Sequence, residues 1–214
     1  MDAQARKAHA FKALHDQSGI FVIPNPWDAG SAKMLASLGY QALATTSAGY
    51  AFSQGKADGA LSLDETLANV RAIVAATDLP VAVDLENGFA DDPAECAKSL
   101  LRAAEAGAVG GSIEDATGRA DAPIYCFEHA VARIEAAVAA VRTLPFPFIL
   151  TARAENYLHG NPDLNDTIRR LQAFAEAGAD VLYAPGLRNA EEVLAVVRAV
   201  APKPVNVLMS GGLK

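Results

Sequence analysis

The sequence is poor in the residues that mark several common classes of protein. Only two cysteines, Cys96 and Cys126, occur in 214 residues. They make neither a disulfide framework nor a thiolate metal spacing, and such sparse use fits a reducing cytoplasm. No apolar run reaches membrane-spanning length, and the opening Met1-Asp2-Ala3-Gln4-Ala5-Arg6-Lys7 lacks the apolar centre of a secretory signal. A soluble, cytoplasmic chain without a membrane partner is expected. Basic residues are also scarce in any one place. Lys and Arg number 18 against 25 Asp and Glu, a net charge of −7, and no basic stripe interrupts that balance. A nucleic-acid partner is therefore not expected. A small anionic substrate remains compatible, because one local cation outweighs a diffuse negative surface.

What is present is a regular alternation of short apolar runs and longer amphipathic segments. Strands are predicted at Phe21–Ile23, Ala42–Thr46, Val81–Leu85, Gly111–Ile113, Phe148–Ala152, Val181–Tyr183 and Val205–Met209. Helices are predicted at Ala29–Leu38, Leu63–Ala76, Pro93–Ala106, Phe127–Val141, Asp166–Ala177 and Ala190–Val200. Leu67, Val70, Ile73 and Val74 recur at the spacing of one buried helical face, and Ser62 with Glu65 has the spacing of a capping box. Three helices run into Gly39, Gly107 and Gly178, where glycine supplies a left-handed stop. The strands are continuously apolar, as parallel strands covered on both faces are. Seven such units predict one α/β domain over residues 1–214, a (β/α)8 barrel of the TIM type. The chain ends at Gly211-Gly212-Leu213-Lys214. The eighth strand and final helices are then missing, and a chain truncated after strand seven is the expectation.

In such barrels chemistry sits at the carboxyl ends of the strands. The polar residues there are Thr46, Ser47, Ala48 and Gly49 with Asp58 in the loop beyond, then Asp84 and Glu86, Glu114 and Asp115, and Arg153, Glu155 and Asn156. Asp84 and Glu86 are two apart and share a face of an extended strand, within reach of Glu114 on the next. Three carboxylates in one enclosure repel unless a cation neutralises them, and hard oxygen ligands suit Mg2+, with Mn2+ as the alternative. Arg153 would hold a substrate carboxylate in a planar two-point pair. Plainer readings stand beside these. Glu86 could be a structural partner of Arg153, Asp115 a turn cap, Asp58 a solvated loop residue, and His129, Cys96 and Cys126 structural or inert.

The segments Asn25-Pro26-Trp27-Asp28-Ala29, Thr45-Thr46-Ser47-Ala48-Gly49, Val83-Asp84-Leu85-Glu86-Asn87-Gly88, Ile113-Glu114-Asp115 and Thr151-Ala152-Arg153-Ala154-Glu155 resemble the isocitrate lyase/phosphoenolpyruvate mutase superfamily in order and spacing. The nearest likeness is to its phosphoenolpyruvate-mutase-like branch, often described as carboxyvinyl-carboxyphosphonate phosphorylmutase. The resemblance implies an Mg2+-dependent enzyme that makes or breaks a C–C or P–C bond of a small 2-keto or 2-hydroxy acid through a pyruvate-like enolate. It further implies Asp84, Glu86 and Glu114 at the metal, Arg153 on substrate and enolate, and Thr46, Ser47 and Ala48 on the substrate carboxylate. Asp58 would stand near both, and a homodimer or homotetramer is implied. The lyase members carry Lys-Lys-Cys-Gly-His after the Glu-Asp pair. Here Ala116-Thr117-Gly118-Arg119-Ala120-Asp121-Ala122-Pro123 has neither lysine nor cysteine, so isocitrate or methylisocitrate cleavage is not expected. Ala116 to Tyr125 is instead predicted to be a mobile lid, with Arg119 reaching the anionic tail of the substrate. Two alternatives are a phosphosugar-binding barrel using Gly211-Gly212, and a barrel that binds metabolites without turnover.

Overall fold

A computed structural model describes residues 2–209. Six parallel strands form one sheet in chain order: β1 (Leu43–Ala44), β2 (Val81–Asp84), β3 (Gly110–Glu114), β4 (Ile149–Arg153), β5 (Val181–Tyr183) and β6 (Val205–Asn206). Parallel neighbours need a crossover, and helices supply it. These are α4 (Leu63–Ala76) between β1 and β2, α5 (Pro93–Glu105), α6 (Phe127–Val141), α7 (Leu164–Glu176) and α8 (Ala190–Val200), with α1 (Ala3–Asp16), α2 (Ala29–Ser37) and the short α3 (Ser47–Ser53) earlier in the chain. Strands succeeding one another without reversal make a curled, barrel-type α/β sheet. Six strands are observed among the described residues where seven were predicted. No helix among those residues is long and apolar enough to cross a membrane.

The missing strand is Phe21–Ile23, which joins no ladder. Its continuation runs beside β1 through a single backbone bond, Ala44 N to Pro24 O at 3.1 Å. Pro24 and Pro26 each remove a backbone donor, so the segment cannot pair regularly. The predicted strand Ala42–Thr46 shortens to Leu43–Ala44 because Thr46 turns out to cap α3, its hydroxyl accepting from Gly49 N at 3.2 Å. Val205–Met209 likewise shortens to Val205–Asn206. Helix α1 was not predicted. Its buried face is only Ala5, Ala8 and Phe11, too small an apolar stripe to stand out from the sequence. Gly211 and Gly212 lie outside the described residues.

The main core lies between sheet and helices, with Leu67, Leu100, Ile113, Ile134, Phe148, Leu150, Leu171 and Phe174 all fully buried or nearly so. A second cluster fills the amino end of the sheet. There α1 sets Ala8 and Phe11 against Ala42, Val109, Ile149 and Val181. Gly110 makes room for this stopper, since a Cβ on it would lie 2.8 Å from the Phe11 ring and 2.9 Å from Ile149 O. The helix-ending glycines do a second job. Gly107, at φ 99°, sits so close to α4 that a Cβ would lie 2.7 Å from Val74 Cγ1. Gly178, at φ 104°, meets Val138 of α6 in the same way at 3.0 Å. The two exit turns thus rest on the helix of the unit before, and the amino end is plugged. The cavity lined by Asp58, Glu86 and Glu114 lies at the other, carboxyl end.

Candidate active site

Sheet register assembles the site. Glu114 pairs with Arg153 across β3 and β4, and Arg153 with Tyr183 across β4 and β5. The backbone bond from Glu114 N to Glu86 O, 2.9 Å, extends this row towards β2. Glu86, Glu114, Arg153 and Tyr183 therefore stand side by side at the carboxyl edge. Glu86 is not on the strand, contrary to expectation. β2 ends at Asp84, and Glu86 takes a left-handed backbone with φ 49°. Such a φ is costly for a residue with a Cβ and persists only where its surroundings impose it.

Arg153 is the hub. Its Nε donates to Glu155 Oε1 at 2.8 Å, Nη1 to Asp84 Oδ1 at 3.2 Å, and Nη2 lies 3.2 Å from Glu114 Oε2. The guanidinium also lies over the Tyr183 ring, 5.2 Å from its centroid. The plain reading of Glu86 as the partner of Arg153 is thus replaced by three other carboxylates. Asp84 accepts hydrogen bonds on both oxygens. Ser47 offers its amide at 3.2 Å and its hydroxyl at 3.0 Å to Oδ2, while Glu86 N at 3.1 Å and Arg153 take Oδ1. Thr46 is occupied as the α3 cap, Ala48 follows in the first turn of α3, and Asp58 is exposed at the rim.

Burial drives the electrostatics. Glu86 is pushed up to about 7, first by desolvation and then by the charges of Asp84 and Asp58, with Arg153 opposing. Burial also lifts Glu114 and Glu155 above the ordinary carboxylate range, against the pull of Arg153. Arg153 itself loses hydration, but Asp84, Glu155 and Glu114 outweigh that loss and hold it protonated. One more feature marks the pocket. The buried Glu86 Oε1 has no hydrogen-bond partner among the described residues. A cavity of about 350 Å³ opens beside it, bounded by Asp58, Leu61, Asn87, Phe89, Glu114 and Thr117 among others.

Two expected residues fall elsewhere. Asp115 is no turn cap: it is buried, accepts from Glu155 N at 2.8 Å and pairs with Arg170 at 3.0 Å. Arg119 points away from the acidic cluster to Asp91, 2.7 Å, at the surface. Its segment is a small hairpin, with a bridge between Ala116 and Ile124 and a bond from Thr117 N to Pro123 O of 2.8 Å. Sequence reasoning passed over Tyr183, Asn87 and Phe89. The first ends an apolar run and the other two follow the Asp84-Leu85-Glu86 motif, so the strand-end rule applied to every strand would have found them.

The sequence model of the phosphoenolpyruvate phosphomutase family matches residues 11–214. The chain belongs to that family. Within the wider isocitrate lyase/phosphoenolpyruvate mutase superfamily, this phosphomutase-family chain is 62% identical to a Burkholderia cenocepacia J2315 protein of known crystal structure, provisionally described as a lyase/mutase. The superposition has a TM-score of 0.96 and covers 99% of this chain and 75% of that one. It is 34% identical over 182 residues to the 2-methylisocitrate lyase of Escherichia coli, covering 81% of this chain and 60% of the lyase. A phosphonopyruvate hydrolase solved with oxalate and Mg2+ is 25% identical with a TM-score of 0.86, covering 94% of this chain and 71% of the hydrolase. The family's lyases, hydrolases and mutases are enzymes of small acids, and divalent metal is bound by that hydrolase.

Proposed function

We propose that this chain is an Mg2+-dependent enzyme that makes or breaks a C–C or P–C bond of a small 2-keto or 2-hydroxy acid through a pyruvate-like enolate. The observation that carries the reading is the buried, unpartnered oxygen of Glu86, a residue that lines a cavity together with Asp58 and Glu114. An orphaned buried carboxylate oxygen is costly, and a hard cation is its natural partner. The donor set fits Mg2+ or Mn2+. Among the described residues no three His, Cys, Asp or Glu side chains form a metal cage by themselves, so an ion there would take one or two carboxylates directly and complete its shell with water. Glu86, Asp84 and Glu114 would hold it, directly or through water. When bound, such an ion stabilises negative charge developing on the substrate's oxygen.

The chain's own residues do the rest. Arg153 presents a planar fork to the substrate carboxylate and enolate, while Glu155 and Asp84 fix its plane. Thr46, Ser47 and Ala48 form the turn against which that carboxylate seats. Asp58, at the rim, holds or moves a proton at the reacting carbon. The hairpin from Ala116 to Tyr125, anchored at its Tyr125 end, closes its tip over the cavity through Thr117 and Gly118, excluding water from the enolate, and Arg119 leaves Asp91 to meet the tail of the substrate. The absence of lysine and cysteine between Ala116 and Pro123 argues for a reaction other than isocitrate or methylisocitrate cleavage. We read the sheet as a sector of an eight-stranded barrel, with the segment before Asn25 beside β1, and the protein as a cytoplasmic homodimer or homotetramer.

A panel of 2-keto and 2-hydroxy acids with Mg2+ tests the reading. Turnover of at least one acid is expected, lost with EDTA and restored by Mg2+ or Mn2+. Asp84→Ala should abolish it with the fold intact by circular dichroism. Turnover indifferent to EDTA and to Asp84→Ala would overturn the reading.

A further inference from the structure

Behind the Glu86 turn lies a second set of contacts, which touches no part of the cavity's acidic cluster and holds the residues that follow Glu86. The loop after β2 carries two non-glycine residues in the left-handed region, Glu86 at φ 49° and Phe89 at φ 58°. A short loop does not hold two such residues by its own preferences. Within the loop Asn87 Oδ1 accepts from Phe89 N at 2.9 Å, Ser99 of α5 donates to Gly88 O at 2.7 Å, and the remaining carbonyls are held by α6. Arg133, only 1% exposed, donates Nη1 to Ala90 O at 2.5 Å and Asp91 O at 2.8 Å, and Nη2 to Asn87 O. One turn earlier on the same helix face, His129 Nε2 meets Asp91 O at 2.8 Å.

Tyr125 completes the grip from the other side. Its ring lies under the Arg133 guanidinium at 4.4 Å, and its hydroxyl donates to Asp91 Oδ1 and accepts from Asn87 Nδ2 at 3.4 Å. Its own backbone is anchored to the neighbouring strand end, N to Asp115 O at 2.8 Å, while its carbonyl accepts from Arg170 at 3.0 Å. The strand end that bears Glu114 and the loop that bears Glu86 are therefore tied to one aromatic ring and one buried cation. A buried arginine whose acceptors here are backbone carbonyls has given up hydration to fix backbone, and three carbonyls within five residues leave that loop little freedom.

We propose that Tyr125 and Arg133 are the positioning pair that sets Glu86 against Glu114 and so tunes the divalent-ion site. This rests on reading those two carboxylates as parts of one metal site. Outer contacts of this kind change metal affinity by about 10- to 100-fold when removed. Mn2+ binding to the full chain, followed by electron paramagnetic resonance and calorimetry, tests the pair. Tyr125→Phe keeps the ring and loses only the hydroxyl; Arg133→Met loses the carbonyl grip. We expect weaker Mn2+ binding in both, by about 10-fold or more for Arg133→Met, with faster amide exchange across residues 86–91 and Arg133→Lys recovering part of the loss. Arg142→Met is the control. That arginine ties Asp180 and Gly178 O at the opposite end of the sheet, so its loss should lower the melting temperature and leave Mn2+ affinity alone. Wild-type Mn2+ affinity and unchanged exchange at 86–91 in folded Tyr125→Phe would overturn the pairing, even if Arg133→Met fails to fold. If the wild-type chain binds no Mn2+, the metal reading itself falls, and exchange at 86–91 alone still decides whether the pair positions the loop.

Discussion

At the end of β4 one guanidinium answers three carboxylates, and the two obvious substitutions of Arg153 separate its roles. Arg153→Lys keeps the charge but not the fork. On the acid the enzyme turns over, kcat/KM should fall by about 100-fold or more, the size of losing an oriented charge-stabilising donor. Arg153→Met leaves Glu155, 2% exposed, buried without its cation, and should cost about 3–5 kcal/mol in urea unfolding. Wild-type kinetics in the lysine variant would make the arginine a structural counter-ion. Residue by residue, the site was legible where chemistry coincided with a strand end, as at Asp84, Glu114 and Arg153. Glu86 was expected on the face of a strand, and a left-handed turn beyond the strand brings it beside Glu114 instead. Arg119 was chosen for its charge alone, and charge does not reveal that Asp91, far off in sequence, already holds it. Arg133 was invisible because its acceptors are backbone carbonyls, which leave no mark in a sequence, and Tyr125 because its side-chain partners Asp91 and Asn87 lie 34 and 38 residues away.

The elements were read well where helical periodicity, caps and glycine stops agreed, as in α4 with its Ser62–Glu65 capping box. They were misread where two cues conflicted, as at Phe21–Ile23, whose apolar run is followed by two prolines, and at α1, whose buried face is mostly alanine. Helix α1 nevertheless closes the amino end of the sheet, and its fit there is measurable. Phe11→Ala should cost about 3–5 kcal/mol as a large core truncation. Gly110→Ala should cost about 1–3 kcal/mol by overpacking, since the added methyl meets the Phe11 ring. Made together, the two should cost less than their sum, because the smaller side chain at 11 vacates part of the space the methyl needs. Costs that add to within about 0.5 kcal/mol would show that the two positions do not meet. The Arg119–Asp91 tie of the hairpin is exposed, so Arg119→Ala should move stability by less than about 1 kcal/mol while raising KM if the hairpin acts on substrate.

Across the whole molecule, Asp166 joins α7 to two strand ends. It accepts from Arg170, Arg169 and Asn156, and Arg170 in turn reaches Asp115. Burial pushes the Asp166 carboxyl up, but those hydrogen bonds prevail and hold it at about 2 against an ordinary 3.8. A carboxyl depressed in the folded state favours folding above its ordinary value, and that contribution drains away as pH falls from about 4 towards 2. Wild-type urea midpoints should therefore drop more steeply over that window than those of Asp166→Asn, which has no such charge to lose; parallel curves would remove Asp166 from the acid response. The glycines at 107 and 178 carry a consequence for how such chains recombine. Each abuts a valine two segments upstream, so a crossover placed just after either glycine inherits both halves of the contact from one parent. A crossover within α5 or α7 would bring valine and glycine from different parents. In libraries shuffled with relatives, breakpoints after Gly107 and Gly178 should survive a folding screen more often than breakpoints inside those helices, which makes these two turns the natural seams of the gene.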